Sequence, residues 1–187
     1  MASSEGGLWL EFHVDPEWAE ELHRARVKAL PLTTQKASDV HLTVLYLGKG
    51  VSDADAKVLW DEGVVPHLKK GSFDFYWKEV RTGTWSPPEV LMIDAGCAEP
   101  EHFEALYRAL FAKAVELGIR VAGTNAGPDK HNGYHITVDK RPSPPYSEQE
   151  MDEVRTYLGL LTNFPIFWQD IRMVRGDSEN VLWRHAF

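Results

Sequence analysis

The stretch DVHLTVLYLGKG, residues 39–50, decides how this chain is read. Val40, Leu42, Val44, Leu45 and Leu47 suit a buried strand, and Gly48 suits its end. His41 and Thr43 do not fit that set. Successive side chains of a strand point to opposite faces, so His41 and Thr43 project together, away from Leu42 and Val44. The same parity gives Tyr46 the face of Leu42, toward a covering helix. Roughly half a chain later the pattern returns in YHITVDK, residues 134–140. There His135 and Thr137 share one face, and Ile136 and Val138 the other.

The elements around the two stretches repeat in order. GLWLEFHV is an alternating strand with Leu8, Leu10, Phe12 and Val14 on one face. A helix follows, with Asp15 as N-cap and Pro16 at its first position. Ser52 caps a second helix that Gly63 and Pro66 should break or kink. SFDFYWKEV and PEVLMIDAG are strands around the turn-rich RTGTWSPP. Phe103, Leu106, Leu110, Ala114 and Leu117 form the apolar stripe of a third helix that Gly118 ends. IRVAG, residues 119–123, reads as a short strand. GTNAGPDKHNG reads as a glycine-rich loop, either a lid beside the second motif or only a long connection, with the lid favoured. Ser147 and Glu150 match a capping box at the start of a fourth helix. FPIFWQDIRMVRG and ENVLWRHAF close the chain as strands. A weak internal repeat of two similar α+β lobes within one domain, residues 1–187, accounts for this order.

The chain has 187 residues, 43% hydrophobic and 26% charged, with a net charge of −8 at pH 7. That length suffices for a real core. Proteins that grip long duplex nucleic acid draw most of their affinity from basic contacts to phosphates, and an acidic chain is poorly suited to that. The basic doublets Lys69-Lys70 and Lys140-Arg141 read as solvated surface. The single cysteine, Cys97, rules out an intrachain disulfide and a cysteine-based zinc site. The N-terminal residues lack the basic and apolar regions of a signal peptide, and no segment has the ~20 apolar residues of a membrane span. A monomeric, cytoplasmic protein is the expectation, in the host cytoplasm if the source is viral.

Two histidines facing each other across a cleft suit phosphodiester chemistry. One neutral imidazole takes a proton from the attacking oxygen, and the other, protonated, gives one to the leaving oxygen. The hydroxyls of Thr43 and Thr137 can donate to non-bridging oxygens. A lone histidine on a strand is ordinarily a satisfied structural residue. Two copies of His-apolar-Thr-Val, each in a predicted strand and each opening one half, are much harder to reach by chance.

HLTV and HITV resemble the paired His-x-Thr-x motifs of the 2H phosphoesterase superfamily, whose members include LigT-like RNA cyclic phosphodiesterases. HLTVLYLG is similar to the family's usual first motif through its trailing leucine and glycine, and valine replaces the commoner leucine in the fourth motif position. The element order agrees from GLWLEFHV to LWRHAF. The resemblance implies a bilobal α+β fold, with antiparallel sheets of two pseudo-symmetric lobes lining a central groove and helices outside. It implies His41, Thr43, His135 and Thr137 as the catalytic four, with no metal and no other cofactor. Related enzymes open 2',3'-cyclic phosphates, cleave 2'-5' oligoadenylates, or process cyclic phosphates from tRNA splicing, and phage anti-CBASS members cleave cyclic nucleotide signals of host defence.

Size and charge favour a small nucleotide over folded RNA, with a cyclic di- or oligonucleotide immune signal ahead of RNA ends and oligoadenylate. A module that sequesters nucleotides without chemistry is the alternative of another class. For substrate contacts, Trp85, Tyr134 and Trp9 are the candidate stacking residues, and Lys140 is the candidate phosphate contact. Core packing is the competing role for each aromatic, and a solvated strand end for Lys140. His131 and His135 have the spacing of helical zinc ligands, but Asn132-Gly133 between them argues against a helix. His13, His23, His67, His102 and His185 show no partner pattern.

Overall fold

The computed structural model describes residues 6–68, 73–84, 89–121, 134–141, 145–159 and 165–187, with backbone alone at 83, 84, 89 and 141. Chain order runs β1 (Leu8–Val14), α1 (Pro16–Ala29), β2 (His41–Gly48), α2 (Asp53–Val58), β3 (Phe75–Thr84), β4 (Glu89–Cys97), α3 (Pro100–Glu116), β5 (Tyr134–Arg141), α4 (Glu148–Gly159), β6 (Trp168–Arg175) and β7 (Asp177–Ala186). This is the expected α+β class. The strands make one open sheet in the order β3-β4-β5-β2-β1-β6-β7, with every neighbouring pair antiparallel. The two motif strands are therefore central neighbours. The sheets expected of two separate lobes are joined through them.

Local signals explain the element ends. Asp15 accepts from the backbone N–H of Glu17 at 3.0 Å and of Trp18 at 3.3 Å, satisfying donors that the first helical turn leaves open. Ser52 caps α2 by accepting from Asp55 N–H at 3.0 Å. Gly63 and Pro66 do not stop the chain at once. After α2 the coil widens into a π-helical turn, Leu59–Val64, and then ends in a 3-10 turn, Val65–His67. Ser147 and Glu150 close their capping box, with Ser147 N–H donating to Glu150 at 2.8 Å and Glu150 N–H to Ser147 at 3.2 Å.

Two expected strands come out differently. Residues 119–121 form none, while 122 and 123 lie outside the described residues. With Gly118 at φ 72°, its N–H bonds Val115 at 3.0 Å and Ile119 N–H bonds Ala114 at 2.9 Å. These bonds cap α3, so the backbone there is spent on the helix end and not on a ladder. In FPIF, Ile166 makes a single bridge to Phe75, and β6 begins only at Trp168. Pro165 has no N–H to offer a ladder.

One face of the sheet makes the core. Leu8, Leu10 and Phe12 of β1, Leu42 and Leu45 of β2, Ile93 of β4, Ile136 and Val138 of β5, and Ile171 and Met173 of β6 are buried there. Leu22 of α1, Phe103, Leu106 and Leu110 of α3, and Val154 and Leu158 of α4 join the same cluster. Each fully buried aliphatic contributes on the order of 1.5–3 kcal/mol. No described helix is long and apolar enough to cross a membrane.

Candidate active site

The face of β2 and β5 turned away from the core carries the four motif residues. Leu42, Ile136 and Val138 are wholly buried and Val44 nearly so, whereas His41, Thr43, His135 and Thr137 are half-buried. Leu42 is paired with Ile136 in antiparallel register. Stepping one residue to either side sets His41 beside Thr137 and Thr43 beside His135. The two histidines are then diagonal neighbours, with strand geometry separating their backbones by about 7–8 Å. Two imidazoles so placed, with a threonine hydroxyl on each flank, supply the proton acceptor and donors that a phosphate group calls for.

Both motifs end in the same irregularity. Leu10 faces Leu45 and Glu11 faces Thr43, so Val44 is an extra residue. Leu91 faces Asp139 and Met92 faces Thr137, so Val138 is an extra residue. A bulge puts two consecutive side chains on one face and reverses the parity beyond it. Leu45 and Asp139 are therefore buried, and Tyr46 and Lys140 are exposed. Strict alternation places Tyr46 toward a helix, and the bulge corrects this. Tyr46 is 37% exposed, pairs with Trp9 of β1, and its ring centroid lies 6.3 Å from that of Trp9. The Tyr46 ring also fills the space above Gly7, where a Cβ would come within 2.2 Å of the phenol oxygen.

Of the expected substrate contacts, Trp9 lies on the motif face, and Lys140 stands at the end of the second motif strand. Tyr134 does not join them. Its parity is that of Ile136, and it packs edge-on against Phe103 at 4.7 Å and Phe75 at 5.3 Å. Burial pushes its phenol up to about 12. Trp85 and the glycine-rich loop at 123–133 lie outside the described residues.

Glu11 of β1, between Leu10 and Phe12, faces away from the core. The structure places it within the site. Its side chain is 0% exposed. Arg172 Nε donates to Oε1 at 2.8 Å, while Trp9 Nε1 at 2.6 Å and Ser178 Oγ at 3.0 Å donate to Oε2. His41 Nδ1 lies 3.5 Å from the same Oε2 and 3.4 Å from Ser178 Oγ. Ser178 and Arg172 come from β7 and β6, far from either motif in sequence, and nothing in their local pattern singles them out. His13, paired with His41 across β1 and β2, is nearly buried, with Nδ1 3.3 Å from Gln169 Oε1. Burial, then the charge of Arg172, lowers its pKa, so a neutral ring lies beside His41. On the other side Asp94 stands opposite His135 and is held by Arg81 at 2.5 Å. Among the described residues no group of three or more His, Cys, Asp or Glu side chains is arranged to hold a metal ion.

No family model matches the sequence, and none of the curated proteins does. Solved structures do match it along nearly its whole length. A phosphoesterase crystal structure superposes at TM-score 0.61 with 16% identity, covering 98% of each chain. The E. coli LigT complex with ATP superposes at 0.59 with 17% identity, again over 98% of each chain. TT0787 of Thermus thermophilus superposes at 0.56 with 20% identity, covering 96% of this chain and 97% of that one. E. coli LigT has also been solved with phosphate and with 3'-AMP. The chain thus has the LigT-like fold expected from its paired motifs.

Proposed function

We propose that this protein is a 2H-type phosphodiesterase that cleaves a small nucleotide by acid–base catalysis between His41 and His135, with Thr43 and Thr137 donating to the non-bridging phosphate oxygens. The observation that carries the reading is the Leu42–Ile136 register pair, which gathers two sequence-distant His-x-Thr motifs on one face of one sheet. Neither histidine needs a metal to move a proton near neutral pH, and positioned acid–base groups contribute about 10²–10⁴-fold each. Two intact motifs favour catalysis over sequestration, because a pure binder needs neither the second imidazole nor its threonine.

The substrate class rests on two supports. The LigT-fold neighbour binds ATP, 3'-AMP and phosphate, all small. The Trp9–Tyr46 pair beside the first motif is an aromatic platform on which a base can stack. A cyclic di- or oligonucleotide signal is the leading candidate, and a 2',3'-cyclic phosphate or 2'-5' linkage the second. The test is a panel of cyclic dinucleotides, cyclic trinucleotides, 2'-5' oligoadenylate and 2',3'-cyclic mononucleotides, incubated in EDTA, with products identified by mass spectrometry. Turnover of a cyclic oligonucleotide is expected. Tight binding of one compound with turnover of none would favour the sequestering module.

A further inference from the structure

We infer that Glu11 is a positioning residue that fixes the tautomer of His41 and thereby makes His41 the proton acceptor of the pair. The inference rests on the catalytic reading of His41 and deepens it by separating two histidines that the motifs leave equivalent.

The donors and acceptors around Glu11 fix where the His41 ring proton sits. Arg172 Nε and Trp9 Nε1 are donors only, and both address the Glu11 carboxylate. The hydroxyl of Ser178 has one proton and gives it to Glu11 Oε2 at 3.0 Å. Its oxygen can then only accept from a further neighbour. His41 Nδ1 faces two groups, that oxygen at 3.4 Å and Glu11 Oε2 at 3.5 Å. Both are acceptors with no proton left to give. A neutral His41 is therefore matched to its surroundings only with its proton on Nδ1, which leaves the lone pair of Nε2 for substrate. These contacts are long, as catalytic hydrogen bonds often are before substrate arrives.

In the reaction, Nε2 takes the proton from the attacking hydroxyl or water as the new oxygen–phosphorus bond forms. The imidazolium so made keeps Nδ1–H toward the carboxylate. His135 returns a proton to the oxygen whose bond to phosphorus breaks, so protons and charge balance over the step. Glu11 is well placed to hold this state because it is wholly buried and its own orientation is locked by three donors.

The experiment is 15N NMR of the histidine rings in the intact protein, at a pH where they are neutral, with His41 assigned by its loss in His41→Ala. The expected result is protonated Nδ1 and bare Nε2 at His41. Protonated Nε2 in the wild type overturns the inference without any variant. In Glu11→Ala the carboxylate that takes the Ser178 hydroxyl proton is gone, so that hydroxyl is free to donate to His41 Nδ1, and the ring proton should move to Nε2. Turnover should then fall by about 10²–10⁴-fold in kcat with little change in KM. A proton that stays on Nδ1 in that variant, or a moved proton with unchanged kcat, overturns it. Ser178→Ala leaves Glu11 in place and should keep the Nδ1 proton, and a reversal there would assign the tautomer to Ser178 instead. The spectrum needs no substrate. A protein with the expected tautomer and no phosphodiester turnover would refute the function proposed above and leave Glu11's hold on the ring standing.

Discussion

Leu42 of β2 stands across from Ile136 of β5, and through this pair the two halves of the sheet become one. Each of the two sits between a motif histidine and a motif threonine in sequence, and both are fully buried. The same contact holds the core together and sets the spacing of the site. Leu42→Ala should cost about 2–5 kcal/mol and Ile136→Val about 0.5–1.5 kcal/mol, read from urea unfolding. Leu42→Ala should also lose turnover, since slack at this pair loosens the imidazole spacing.

The four motif residues should show the opposite balance. They are half-buried and lie off the core face, so His41→Ala, His135→Ala, Thr43→Val and Thr137→Val should unfold within about 1 kcal/mol of wild type. Each histidine variant should lose about 10²–10⁴-fold in kcat. The double histidine variant should lose little more than the worse single one, because groups acting in one proton circuit are not additive.

Base stacking gives a third prediction. Tyr46→Ala should weaken substrate binding by about 1–3 kcal/mol, or roughly 5- to 150-fold in KM. Tyr134→Phe, on the core face, should leave KM unchanged. Equal effects from the two would remove the Trp9–Tyr46 platform from the account.

His13 gives stability a pH dependence. Burial and Arg172 lower its pKa from 6.5 in the folded chain, so the unfolded chain binds the proton more readily. Its stabilising contribution is complete above the unfolded value and is lost as pH falls through the folded one. Burial raises Asp170, across the sheet from His13, and it acts in the other sense, its contribution lost as pH rises through its folded value. The comparison is therefore between proteins, not along one curve. Denaturant unfolding between about pH 7.5 and 5 should show a steeper acid loss in wild type than in His13→Gln.

The elements and the motif face were legible because they rest on local rules. Alternation in GLWLEFHV, the Asp15 and Ser147 caps and the Gly118 helix end each act within a few residues. The His-x-Thr parity needed only the period of a strand. Tyr46 was misplaced because a bulge is a property of two paired strands, and the extra residue Val44 shows only against β1. Tyr134 was judged by its nearness to His135 in sequence, when its even parity already put it with Ile136. Glu11 was invisible for a different reason. A glutamate opposite a strand's core face reads as solvated, and only β6 and β7 folding back with Arg172 and Ser178 turn it into a buried group aimed at His41.

The most direct test of the central claim is turnover of the best substrate from the nucleotide panel by wild type, His41→Ala and His135→Ala, side by side in EDTA. The account predicts cleavage by wild type that survives the chelator and falls by at least about 100-fold in each variant while both remain folded. Cleavage that persists in both variants, or that EDTA abolishes in wild type, would contradict it.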